Sequence, residues 1–294
     1  MFKRKEKEVT DSEVIRSLPH NRKEVFFDFM KHRKMDLFVL SCFAFMFFIP
    51  LAIDLFYFNF LEAVAMENGK DEYLFSLIFY SMLIMLPCMI IGFLGFGGAF
   101  YVIKKMVWQE GTMVAVDFFK GLRENWLHSL IDGIIFGLFL FGFVVGGSYL
   151  FIYAPIDAIW KGVGIGALIV LLLLFGMVIA LNQTQSVYYA NPYFRTLKNS
   201  FSFLGLLNWR IFLVFLFSTG VVITLCCFNM ITMAIGLFLF AILNSVVITL
   251  YTLISHYGFD KYINQEHYPE YVNKGLYKEI KKEEYVPQEN NKEA

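Results

Sequence analysis

The chain has 294 residues, of which 58% are hydrophobic and 19% aromatic but only 17% charged, well away from the composition of an ordinary soluble domain. Its 25 basic and 25 acidic residues cancel, so no nucleic-acid partner is expected. Four cysteines, Cys42, Cys88, Cys226 and Cys227, lie inside apolar runs without CxxC or metal-finger spacing and read as small hydrophobes.

The apolar residues come in runs of about 20, the length a helix needs to cross a hydrocarbon core of about 30 Å. A polar segment, residues 1–36, precedes the first run, so no cleavable signal peptide is expected. The runs then follow at about 37–60, 73–103 (with Pro87 and a "GFLGFGG" stretch), 128–153, 158–186, 210–228 and 231–256. The last two are joined by a turn near Asn229. Residues 257–294 are polar and mixed in charge, and are expected to be a solvated tail. The expected fold class is all-α: a polytopic membrane helix bundle of six transmembrane helices, arranged as three hairpins with cytoplasmic amphipathic helices. The organisation is an N-terminal segment (1–36), a membrane domain (37–256) and the tail (257–294).

Lys and Arg counts in the connections give the orientation. Of the 25 basic residues, 23 fall in the N-terminal segment, the second and fourth connections and the tail; only Lys70 and Lys161 fall on the other side. Both termini are therefore expected in the cytoplasm.

The second connection carries "VDFFKGLRENW" (116–126). On a helical wheel Ala115, Phe118, Phe119, Leu122 and Trp126 share one side, while Asp117, Lys120, Gly121, Glu124 and Asn125 share the other, with Arg123 on the boundary. Thr112 is the expected N-cap. The pattern predicts an interfacial helix, aromatics in the acyl boundary and Phe118, Phe119, Lys120, Arg123 and Trp126 available to lipid or to a docking partner. A second copy, "NPYFRTLKNSF" (191–201), aligns Tyr193, Phe194, Arg195 and Lys198 with that set, behind an Asn191–Pro192 start signal. A third, "FFDFMKHRK" (26–34), follows Asn21 and Glu24, which have capping-box chemistry.

Catalytic and metal-binding constellations are scarce. The five histidines form no HExxH pair, no Cys/His/carboxylate group has metal spacing, and neither a nucleophile elbow nor a P-loop is present. No catalytic residue, cofactor or metal is expected. His128 and Asp132, four apart, can face one another on a helix. Gly142 and Gly146, and Gly162 and Gly166, have the spacing that lets transmembrane helices approach closely. "NQTQSVYY" (182–189) lies roughly 32 Å along the fourth span from Lys161, at the cytoplasmic interface. Asn182, Gln183 and Gln185 there are candidates for a cytoplasm-facing polar pocket, against the plainer reading of an ordinary interfacial helix end.

Residues 86–130 carry Pro87, Gly97, Gly98, Tyr101, Lys104, Lys105, Glu110, Gly111, Asp117, Phe118, Phe119, Arg123, Asn125 and Ser129, in an order that resembles the YesL-like bacterial membrane proteins of the DUF624 group. "LKNSF" (197–201) is similar to that family's second cytoplasmic motif. The resemblance implies a multi-pass protein of a bacterial cytoplasmic membrane, accompanying carbohydrate-uptake systems and bringing no catalytic residues with it. The expected function is thus non-enzymatic, accessory or regulatory to another membrane system, with membrane lipids and a transporter subunit or similar membrane protein as partners. The alternatives are a small-molecule permease using Asn182, Gln183 and Gln185, and, third, a membrane enzyme using His128 and Asp132. Oligomeric state is not readable.

Overall fold

The computed structural model describes residues 19–69, 73–153, 155–206, 213–214, 216–221, 225 and 229–277. They are overwhelmingly helical, with no strand among them. The helices are α1 (Arg22–His32), α2 (Lys34–Met46), α3 (Ile49–Glu67), α4 (Leu74–Val107), α5 (Val114–Ile152), α6 (Ala158–Tyr188), α7 (Tyr193–Leu206) and α8 (Met230–Phe259). Five helical segments among the described residues are long and apolar enough to cross a membrane: α3, α4, α5, α6 and α8 with its continuation to His267. The membrane character expected from composition therefore holds. The expected fifth span, about 210–228, lies mostly outside the described residues.

Local chemistry sets several boundaries. Asn21 caps α1, its Oδ1 accepting from the Glu24 N–H at 3.0 Å, while the Glu24 carboxylate accepts from the His20 N–H at 2.7 Å. The run read as the first span is two helices. Pro50, in the first turn of α3, has no N–H for the Met46 carbonyl, and the chain turns at Phe47 and Phe48 with tight bonds back to Ala44 and Phe45. Asn229 starts α8 with a complete capping box, bonded to the Ile231 and Thr232 amides at 3.0 and 2.9 Å.

The largest departure from the expected layout is α5. The amphipathic segment and the third span are one unbroken 39-residue helix, about 58 Å long. Nothing between Val114 and Ile152 interrupts it: there is no proline, and every turn has a hydrogen-bonded successor. Thr112 is not its cap; the first turn is closed by Asp117, whose Oδ2 accepts from the Met113 N–H at 2.8 Å.

The buried face of α5 also cuts across the wheel's two sides. The inward residues of the first half of α5 are Asp117, Phe118, Gly121, Asn125 and Ser129, while Phe119 and Trp126 are about half exposed. The reason lies in α4, whose second half offers bare backbone at Gly97 and Gly98. A Cβ at Gly98 would sit 2.8 Å from the Phe118 carbonyl oxygen; one at Gly133 would sit 2.8 Å from Ile90 Cα; one at Gly121 would collide with the Tyr101 side chain. Helices this close admit small residues at the seam and exclude Trp. Lys105 of α4 then meets Asp117 at 2.8 Å, so the acid's inward position is matched by a cation. The glycines expected to mediate close packing, Gly142, Gly146, Gly162 and Gly166, have open space where a Cβ would go.

Asn59 near the end of α3 touches Met233 at the start of α8, whereas Trp108, Tyr188 and His256 meet at the opposite end. That opposite end also holds Pro19 and Tyr277, bonded at 3.0 Å, and is called the basic end below. Gly98→Val is expected to destabilise the protein by about 1–3 kcal/mol through overpacking against Phe118, whereas Gly142→Ala is expected to be neutral. Thermal unfolding of the two variants in detergent measures the difference.

Candidate functional site

At the basic end the last turns of α6 sink into the protein on every side. Asn182 through Tyr189 are all buried, the first four of them almost completely. A helix end surrounded by protein must satisfy its polar side chains internally, and three neighbouring elements, α4, α5 and α7, supply partners. Asp132 Oδ1 accepts from Asn182 Nδ2 at 2.7 Å and from the Tyr193 hydroxyl at 2.6 Å. Ser129 Oγ donates to Gln183 Oε1 at 3.3 Å, and Gln185 Nε2 donates to Ser200 Oγ at 3.0 Å. Lys104 reaches from α4 to the Val187 carbonyl at 2.6 Å, a cation at the negative end of α6. Burial, and the adjacent Asp132 carboxyl, push the Tyr193 phenol up from its ordinary value, so it remains a donor.

Asn182, Gln183 and Gln185, the expected polar pocket, are thus gathered into a buried cluster roofed by α7. Asp132 Oδ2, Asn182 Oδ1, Gln183 Nε2 and Gln185 Oε1 have no hydrogen-bond partner among the described residues. His128 does not face Asp132. Its ring lies against Tyr193, with Nε2 3.3 Å from the Asn191 carbonyl.

A second polar cluster, not singled out in the sequence, ties the two ends of the described chain together. Trp108 Nε1 donates to His256 Nε2 at 3.0 Å, and His256 Nδ1 lies 3.1 Å from Asp260 Oδ2 and 2.9 Å from Arg22 Nη2. Arg22 donates to the same oxygen at 3.1 Å and to the Lys274 carbonyl at 3.0 Å. Asn264 bridges Asp260 Oδ1 (2.8 Å) and the Tyr189 hydroxyl (2.6 Å). Burial is the main cause that holds the Tyr189 phenol above its usual range, keeping it a donor here. Lys274 sits 3.6 Å from the centre of the Trp108 ring and 3.0 Å from Glu110.

The expected solvated tail therefore begins late. Residues 258–277 are part of the packed structure, with Phe259 fully buried and Tyr268 and Tyr271 stacked beside Tyr189. Gly275, at φ +83°, brings its backbone against the Val107 carbonyl where a Cβ would collide. Residues 278–294 lie outside the described residues. The one signal available in the sequence was His256 and Asp260 at helical i,i+4 spacing; Arg22 and Trp108 are too distant along the chain to be matched with them.

The residues expected at the interface divide into two groups. Phe118 is fully buried against Phe43 and Phe47, and Tyr193 is buried on Asp132. Phe119, Lys120, Arg123, Trp126, Phe194, Arg195 and Lys198 are exposed. α7 buries Tyr193, Thr196, Ser200 and Phe203 on one stripe, so its outer face carries Phe194, Arg195, Lys198 and Phe201.

Along the middle of the bundle, α3, α4, α5, α6 and α8, with Leu213, Val214, Phe217 and Val221, line a half-open cavity of about 1080 Å³ whose wall is largely apolar. Water needs two to four polar partners to be held in such a space, and the wall offers few. Hydrocarbon is the filling that physics favours.

No family model matches the chain, and comparison with curated proteins and with solved structures yields no match. The functional reading therefore rests on the geometry. Arg22→Ala is expected to cost about 3 kcal/mol by leaving Asp260 without its cation. It should also raise amide hydrogen exchange across 260–277 at least about tenfold, and exchange measured by mass spectrometry reads it directly.

Proposed function

We propose that the chain is a non-enzymatic integral membrane protein of a bacterial cytoplasmic membrane, crossing it six times as three hairpins with both termini in the cytoplasm. Its role is accessory or regulatory to another membrane system, such as the carbohydrate uptake suggested by the resemblance to YesL-like proteins. The observation that carries this reading is the way α7 is held. Tyr193 and Ser200 pin it to Asp132 and Gln185, so Phe194, Arg195, Lys198 and Phe201 are presented outward on a fixed helix. A basic and aromatic face of that kind suits the headgroup layer and a partner lying in it. Behind it, His128 Nε2 lies at the Asn191 carbonyl while Asp132 Oδ1 accepts from Asn182 and Tyr193, so the pair on which an enzyme would be built is engaged elsewhere. Membrane cross-linking followed by purification in mild detergent is expected to recover a second membrane protein. The combined Phe194→Ala, Arg195→Ala and Lys198→Ala variant should lower that recovery at least about fivefold; recovery of the chain alone would sink the proposal.

One observation favours a permease as the second reading. Gln183 belongs both to the buried polar cluster and to the wall of the apolar cavity. On that reading Gln183→Ala would reduce uptake of a substrate by reconstituted vesicles at least about tenfold, and unchanged flux would dismiss it.

A further inference from the structure

The cavity is not apolar throughout its length. Its wall runs along α6 from Leu172 to Gln183, along α8 from Leu237 to Tyr251 and along α4 from Ile78 to Phe100, about 16–33 Å of helix, at its longest comparable with the roughly 30 Å of the hydrocarbon core. At the end away from the basic end, two polar residues of α3 line it, Asn59 and Glu62, three apart and so on one face. The Asn59 amide donates to the Leu55 carbonyl at 2.9 Å and toward Met233 sulfur at 3.3 Å, which leaves its carbonyl oxygen as an acceptor. The Glu62 carboxylate has no hydrogen bond or ion pair among the described residues. A largely apolar chamber therefore ends at two hydrogen-bond acceptors, one of them a carboxylate.

We propose that this cavity is a lipid site, taking the acyl region of one membrane amphiphile whose head carries a primary ammonium held by Glu62 and Asn59. The chemistry selects the occupant. Phenylalanine, leucine and methionine side chains such as Phe93, Leu140 and Met89 accept hydrocarbon and nothing polar. The acceptor pair asks for a cationic donor and disfavours an anionic head; a quaternary ammonium brings the charge but no N–H. Glu62 lies about one and a half turns from the end of α3, at the depth where a headgroup meets the acyl boundary. The site is separate from the outward face of α7, so it stands whether or not a protein partner docks there.

The test uses the full chain reconstituted in bilayers of equal parts phosphatidylethanolamine, phosphatidylcholine and phosphatidylglycerol, then extracted in mild detergent, with the retained lipids counted by mass spectrometry. About one phosphatidylethanolamine per chain is expected, enriched at least fivefold over each of the other two. Glu62→Gln should keep a lipid bound but abolish the enrichment. Leu140→Trp and, independently, Ile179→Phe fill the chamber and should reduce retention of every lipid at least fivefold. Retention in the proportions of the bilayer, or no retained lipid in the wild type, overturns the proposal. So does retention untouched by a folded chamber-filling variant. If both fillers fail to fold, the wild-type enrichment and its loss in Glu62→Gln decide.

Discussion

The contact on which most of the molecule depends is the approach of α4 to α5. Gly97 and Gly98 on one side and Gly121 and Gly133 on the other let the two backbones close to distances that no side chain would allow. That seam turns α5 so that Asp117, Asn125, Ser129 and Asp132 point inward. Phe119 and Trp126 are turned out for the same reason. Had the apolar stripe of the segment chosen its own environment, the helix would have rolled the other way. Dispersion and backbone proximity across two long helices outweigh the transfer of a few aromatic side chains, because outward-facing aromatics still find an apolar or interfacial setting in a membrane.

Once α5 is oriented, the polar residues at the basic end have nowhere to go but toward one another. Asp132 and Ser129 meet the end of α6, and α7 is drawn over them by Tyr193 and Ser200. Beside this lies the Trp108, His256, Asp260 and Arg22 cluster, where α1, α4, α8 and the residues after α8 converge. The two clusters share α6, since Tyr188 and Tyr189 pack on the second while Asn182 and Gln183 serve the first. The result is a polar-bonded plate at one end and a largely apolar chamber behind it.

How much of this was legible beforehand varies with the distance over which each feature is determined. Helix starts at Asn21 and Asn229 were readable because a cap is made within four residues. The break before Pro50 is equally local, yet the uninterrupted hydrophobicity around it masked two helices as one span. The α5 segment misled for a different reason. A wheel sorts residues by polarity, but the side that a helix buries depends on its neighbour, and the neighbour here is a glycine surface that accepts Asp117 with Lys105 and rejects Trp126. The built-in part of the tail was hidden by its polarity, since Lys274 and Arg22 earn their burial only through partners more than 150 residues away.

By itself, the sequence determined that this is a helical membrane protein and where its long apolar segments lie. Those properties follow from composition and from interactions a few residues apart. Only the tertiary structure decided which face of each helix is inside, that the 182–189 stretch is a buried knot roofed by α7, and that a chamber ending at Glu62 runs through the bundle. Each of those depends on the fit of surfaces far apart in the chain. Close packing selects among helix rotations by shape, and shape at a seam is a property of two partners together.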